Sequence, residues 1–232
     1  MSGNSEQDLS GVELLCDLSA DALVELSQNC RWRTYGAGEQ IIDRQSESRD
    51  VYFVVNGRVR VVIYSLSGRE VTLDDLESGG YFGELAAIDG QPRSASVMAI
   101  SKTVLASMSP GYFEQTLKKY PEVAVRVMQR LAWVVRMSTE RIMELSTLGA
   151  NNRIQAEILR LAAATATDEG VAIIKPIPIH SDIASRVSTT RETVARELSN
   201  LARAGVLERQ KDQLKINDLE RLRDMVEEVR GE

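Results

Sequence analysis

Val51-Tyr52-Phe53-Val54-Val55-Asn56-Gly57-Arg58-Val59-Arg60-Val61-Val62-Ile63-Tyr64 is the stretch on which the fold turns. Two runs of β-branched and aromatic residues flank an Asn-Gly pair, the strongest short-range signal for a β-hairpin. Outward from it, Gln40-Ile41-Ile42 reads as another short strand, and Gly36-Ala37-Gly38 and Ser67-Gly68 read as turns. Several short strands at this spacing over residues 31–108 predict an antiparallel barrel or roll.

The flanks differ. Residues 1 to about 12 are polar and expected to be loose, and Leu14, Leu18, Leu23 and Leu26 predict a helix over 14–29. After Pro110 the pattern turns helical, with a long helix expected from Pro121 to Thr147. Its seam is Ala124, Met128, Leu131, Val135, Ser138, Ile142 and Leu145, stepping alternately by four and three. That is the a/d repeat of a coiled coil, so the expected state is a parallel homodimer; the competing reading packs the seam on its own chain. Gly149-Ala150-Asn151-Asn152 should break this helix and act as an interdomain hinge. Beyond it come a helix over 152–166, a strand region near 171–179, two short helices, and a β-rich stretch at 206–216.

Composition removes whole classes of function. At 232 residues the chain suits two domains, and 43% apolar residues suffice for real cores. Aromatics are only 5%, too few for a stacking platform for single strands. A net charge of −6 means that any nucleic-acid surface must be local. Cys16 and Cys30 lack a metal-ligand spacing and read as reduced cytosolic thiols. His180 is the single histidine, so a His-based metal site, haem site or catalytic triad has little to build on. With no signal pattern and no long apolar run, a cytoplasmic protein without a membrane partner or cofactor is expected.

Two constellations carry chemistry. In Gly79-Gly80-Tyr81-Phe82-Gly83-Glu84-Leu85-Ala86-Ala87-Ile88-Asp89-Gly90-Gln91-Pro92-Arg93-Ser94-Ala95, an acid and an arginine bracket a short apolar turn. Amides opening a short helix and an arginine fork suit a phosphate, and a carboxylate suits a sugar hydroxyl. Together they match a nucleotide. Farther on, Ser181 should cap a short helix ending near Val187, followed by a tight Ser188-Thr189 turn. Thr189 and Glu192 fit a capping box opening a second helix, a helix-turn-helix spacing. On a wheel of about 100° per residue, Val194, Leu198 and Leu201 form an apolar stripe, while Arg191, Glu192 and Arg196 share a solvent-facing arc. Arginine forks suit guanine and a carboxylate suits cytosine; the bland alternative is a solvated face with paired charges. His180 and Thr190 flank the helices where phosphate contacts arise.

These residues resemble the cyclic AMP receptor protein (CRP/FNR) superfamily of bacterial transcription regulators. The resemblance rests on Phe82-Gly83-Glu84-Leu85 with Arg93-Ser94-Ala95, and on Arg191-Glu192-Thr193-Val194 with Arg196, joined by the heptad helix. It implies an α+β chain: a cyclic-nucleotide-binding, jelly-roll-like antiparallel β-roll over 1–120, a dimerisation helix over 121–148, and a winged helix-turn-helix domain over 149–232. It implies further that Glu84 accepts from the ribose and that Arg93 partners the cyclic phosphate. Ser94 and the amides near Gly83 and Leu85 would complete the cradle. Ser138 and Thr139 match the family's base-reaching hydroxyls, here in reversed order. The resemblance also implies double-stranded DNA with palindromic TGTGA-like sites, and RNA polymerase, as partners. Cyclic AMP is the leading effector, and the hydroxyl order keeps cyclic GMP in play. Competing classes are a regulatory protein acting on a protein partner, and a family member with another effector or none. An enzyme is not expected, since no nucleophile–base pair is visible.

Overall fold

The computed structural model describes residues 7–66, 68–167 and 170–230. The chain divides into two compact units, one ending at Val134 and one beginning at Val135. The division falls inside the long helix.

Of the segment expected to be loose, residues 1–6 lie outside the described residues, and the part from residue 9 onward is held by the core. Leu9 and Val12 pack into the core with Leu14 and Leu15. The helix expected over 14–29 is two pieces, a 3₁₀ turn at Glu13–Leu15 and α1 at Ala20–Gln28. Ser19 sets the start of α1 by accepting from the Ala22 amide.

Eight strands follow: β1 (Arg31–Tyr35), β2 (Gln40–Ile42), β3 (Val51–Asn56), β4 (Arg58–Tyr64), β5 (Glu70–Glu77), β6 (Tyr81–Phe82), β7 (Ser96–Ala99) and β8 (Thr103–Met108). They form two antiparallel four-stranded sheets, in the orders β1-β8-β3-β6 and β2-β7-β4-β5. The Asn56-Gly57 hairpin does not form, because β3 and β4 belong to different sheets. Val54 faces the inter-sheet core with Val59, Phe82, Val97 and Leu105. Val51 and Phe53 face the opposite side, under Leu26, Phe113, Val123 and Val127. A strand covered on both faces reads as a continuous apolar run, as this one does. The true hairpin is β4–β5, in register from Arg58↔Glu77 to Tyr64↔Glu70. Ser67 at its tip lies outside the described residues; Gly68 beside it has φ of +77°.

Between β6 and β7 lies α2 (Glu84–Asp89), and after β8 come α3 (Pro110–Lys119) and α4 (Pro121–Thr147). The start of α4 packs on its own roll through Val123, Val127 and Leu131. Of these only Leu131 belongs to the heptad seam; Val123 and Val127 lie beside it, and the seam residues Met128, Val135, Ile142 and Leu145 are exposed.

In the second unit, α5 (Ala150–Ala162) begins after Gly149, whose φ of −64° is ordinary, so no left-handed cap ends α4. A 3₁₀ turn at Ala163–Thr165 follows, with β9 (Ala172–Ile174), α6 (His180–Arg186), α7 (Arg191–Arg203), β10 (Leu207–Arg209) and β11 (Leu214–Ile216). The strands pair antiparallel in the order β10-β11-β9. An amphipathic α8 (Leu219–Arg230), which the sequence reading missed, closes the unit with Leu222 and Val226 buried. Among the described residues, no helix is long and apolar enough to cross a membrane.

Gly57 marks the crossing between sheets. Its φ is +94°, and a Cβ there would lie 2.4 Å from the Lys102 carbonyl. Backbone cannot yield as a side chain would, so Gly57→Ala is expected to lower stability by more than ~1 kcal/mol. Urea unfolding of the full chain checks this; an unchanged midpoint would contradict it.

Candidate functional site

The first constellation assembles around a buried guanidinium. Arg93 is only 5% exposed. Its Nη1 donates to the Gly83 carbonyl (2.9 Å), and Nη2 donates to the Asp50 carbonyl (2.8 Å) and to Ser48 Oγ (3.2 Å). Each acceptor is neutral. Nε is buried with no acceptor in the structure. The Asp50 carboxylate instead lies 3.5 Å from Arg31. Burial lowers the Arg93 pKa, with Tyr52, Asp50 and Glu84 acting the other way from a distance. Its guanidinium lies over the Tyr52 ring, 6.0 Å from the centroid, and Tyr52 stacks on Phe82 at 5.1 Å. A buried cation without a directly bonded anion is costly, and it favours any anion that can reach it.

Gly83 opens α2 with φ of +87°, and a Cβ there would meet Arg93 Nη1 at 2.7 Å and the Asp50 carbonyl at 2.8 Å. Glycine is therefore required both by the backbone and by the close approach of Arg93. Glu84 follows, half-buried, with its carboxyl pushed above the ordinary range mainly by burial. Its own amide, Arg130 and Arg93 oppose that rise. Tyr81 beside it has a buried hydroxyl without an acceptor. Leu85 and Ser94 are exposed at the rim. The sequence reading missed Ser48 and Asp50, which hold Arg93 through a hydroxyl and a carbonyl that no motif announces. It also missed Arg130 of α4, paired with Asp74 of β5 at 2.6 Å. Ser138 and Thr139 belong to the second unit and are exposed, Thr139 Oγ1 donating to the Val135 carbonyl at 3.0 Å.

In the second unit the helix-turn-helix differs in its caps. His180, half-buried, is the first residue of α6, Ile179 precedes it without a side-chain cap, and Ser181 lies inside the helix. Thr190, not Thr189, caps α7 by accepting from the Thr193 amide at 3.2 Å. The chain enters α7 one residue later because Ser188 turns left-handed at φ +53° and Thr189 donates back to the Ala184 carbonyl. Arg191, Glu192 and Arg196 are exposed, as the wheel predicts, and Val194 and Leu201 are buried. Arg191 Nε donates to Glu192 Oε1 at 2.8 Å, which holds the Glu192 carboxyl below its usual range.

Two family models match these same regions: a cyclic nucleotide-binding domain over residues 32–120 and a Crp-like helix-turn-helix domain over 152–225. The cyclic AMP receptor protein of Thermus thermophilus is 31% identical over 175 residues, which span 75% of this chain and 78% of that protein. The chain belongs to the CRP/FNR family of transcription regulators. Salmonella typhimurium has a relative, the cAMP-activated global transcriptional regulator CRP, 29% identical over 75% of this chain and 83% of its own. Among solved structures, a CooA mutant from Carboxydothermus hydrogenoformans superposes with a TM-score of 0.79 at 22% identity, covering 92% of this chain and 94% of its own, a likeness of fold. As a CRP/FNR regulator, the protein carries a cyclic nucleotide-binding domain and a Crp-like helix-turn-helix domain.

Burial disfavours the charged form of the Glu84 carboxyl. A carboxyl whose folded pKa is raised above its unfolded value contributes nothing below the unfolded value, destabilises increasingly as pH rises through the gap, and does so fully above the folded value. Glu84→Gln should therefore raise the melting temperature of the effector-free protein at pH 7, and the gain should vanish near about pH 4. An equal gain at both pH values would point to packing instead of charge.

Proposed function

We propose that the protein is a homodimeric regulator that binds cyclic AMP in its roll and then reads palindromic TGTGA-like DNA. The observation that carries this reading is the buried Arg93 guanidinium, hydrogen-bonded only to neutral oxygens and with Nε still unpaired. A cyclic phosphate would supply the missing charge. Gly83, Leu85 and Ser94 would line the phosphate, and a ribose hydroxyl would donate to the half-buried Glu84 carboxylate. For the base we propose Ser138 and Thr139, exposed hydroxyls of α4. The relatives named for cyclic AMP support that nucleotide, whereas the Ser138-Thr139 order supports cyclic GMP as the second reading.

Dimerisation is proposed through the exposed Met128, Val135, Ile142 and Leu145, which continue the heptad repeat along α4. Two copies of α7 would then enter successive major grooves about one DNA turn apart. Arg191, Glu192 and Arg196 would contact base edges, and Thr190 and His180 the phosphates. The effector would act by binding one arrangement of the dimer better than the other. Domain limits of 1–120, 121–148 and 149–232, a cytoplasmic location and a contact with RNA polymerase complete the proposal.

Calorimetry with cyclic AMP and cyclic GMP tests the effector. Arg93→Leu should weaken binding at least about a hundredfold, the scale of losing one partner of a buried charge pair. Arg93→Lys keeps the charge without the fork and should recover only part of it. Tight binding by a folded Arg93→Leu protein would remove the phosphate assignment. On DNA, Arg191→Ala should cost about 1–3 kcal/mol and relax preference at one base pair. A loss that is uniform across sequences would make Arg191 a phosphate contact.

A further inference from the structure

α7 is held to α5 by an apolar stripe and by one polar contact inside it. Gln155 of α5 and Glu197 of α7 are 5% and 4% exposed. Gln155 Nε2 donates to Glu197 Oε1 at 2.6 Å. The other carboxylate oxygen accepts from Asn200 Nδ2 at 3.3 Å. Asn152, at the start of α5, donates to Gln155 Oε1 at 3.5 Å, the long end of the range. These residues make a short polar chain from the first turn of α5 into the helix that carries Arg191, Glu192 and Arg196. No arginine or lysine bonds Glu197 in it.

We infer that the Gln155–Glu197 contact is a positioning device that sets the rotation of α7 and thereby its discrimination among bases. The inference rests on α7 being the DNA-reading helix. Apolar packing of Val194 and Leu201 is weakly directional, whereas a hydrogen bond tolerates only a few tenths of an ångström. Glu197 follows Arg196 directly, about 100° around the helix. A rotation of about 20° would move a side chain at about 6 Å radius by about 2 Å, enough to break a base contact made on the outer arc. The apolar stripe resists such a rotation by packing alone, without a directional bond. The buried amide–carboxylate bond resists it, because losing it leaves two buried polar groups unpaired.

A second set of bonds fixes the same frame. Arg153, also on α5, donates to the Val187 carbonyl (2.9 Å) and the Leu148 carbonyl (2.7 Å). It thereby grips the turn before α7 and the end of α4, while Gln155 grips α7 itself. With the turn clamped, rotation about the helix axis is the freedom left for Glu197 to remove.

The test compares binding to a duplex of two TGTGA half-sites with binding to the same duplex carrying one changed base pair per half-site. Cyclic AMP is saturating and the full chain is used. Gln155→Met/Glu197→Met removes both partners with unbranched side chains of similar length, so the fold should survive. It should keep wild-type affinity for a scrambled duplex while its discrimination ratio falls about tenfold. The exchange Gln155→Glu/Glu197→Gln restores the bond with its roles reversed and should restore the ratio. An unchanged ratio in the double Met variant, or an exchange variant that discriminates no better than it, overturns the inference. If the double Met variant does not fold, Gln155→Met alone removes the donor to Glu197 and makes the same comparison, and an unchanged ratio there also overturns it. A wild-type protein that fails to discriminate overturns the DNA-reading assignment instead.

Discussion

The first unit is organised around one unbalanced charge. Arg93 is taken out of water, and its fork is filled by the Gly83 and Asp50 carbonyls and the Ser48 hydroxyl. Those bonds satisfy geometry but not charge. A buried cation in that condition costs stability unless something anionic arrives, and the positive φ of Gly83 is what lets the fork come so close. Glu84 next to it is strained in the opposite sense, a carboxylate raised by burial. Both defects would be relieved by the proposed ligand, which carries a phosphate and a hydroxyl together.

That site depends on how the strands are shared. β6 delivers Phe82 and Gly83 beside β3, and the loop before β3 delivers Ser48 and Asp50 to Arg93. Because β3 is buried on both faces, a one-residue slip would send Phe53 into the space packed around Val54 and Val54 into the space packed around Phe53. The crossing at Gly57 then sends β4 into the opposite sheet, which closes the roll around the arginine.

The second unit answers a different problem, that of holding α7, the proposed reading helix, in one orientation. Apolar burial places α7 against α5 and resists its rotation by packing alone. Directional bonds from α5 stiffen it: Arg153 to the turn and Gln155 to Glu197. Residues 149–152, whose glycine and asparagines suggest a flexible joint, are tied across by Arg153 to the Leu148 carbonyl. A glycine marks where a chain is able to bend, and the surrounding bonds decide whether it does.

The sequence by itself determined most of the local structure: the short strands, the helix from Pro121 to Thr147, the apolar stripe of α7, and the exposed Arg191, Glu192 and Arg196. These follow from periodicity and side-chain chemistry, which act over a few residues. It also offered the residue types of the proposed nucleotide site, because Gly83, Glu84 and Arg93 lie close in the chain. Tertiary structure decided what depends on distant partners. Asn56-Gly57 reads as a hairpin, yet packing on both faces of β3 sends the two strands to different sheets. Leu9 and Val12 look like part of a polar tail until the core receives them. Thr190 takes the cap from Thr189 because Ser188 turns left-handed. Gln155 and Glu197 are 42 residues apart, and only the fold brings a buried amide to a buried carboxylate. Short-range pattern sets what each segment can be; burial, which is a property of the whole chain, sets which contacts it keeps.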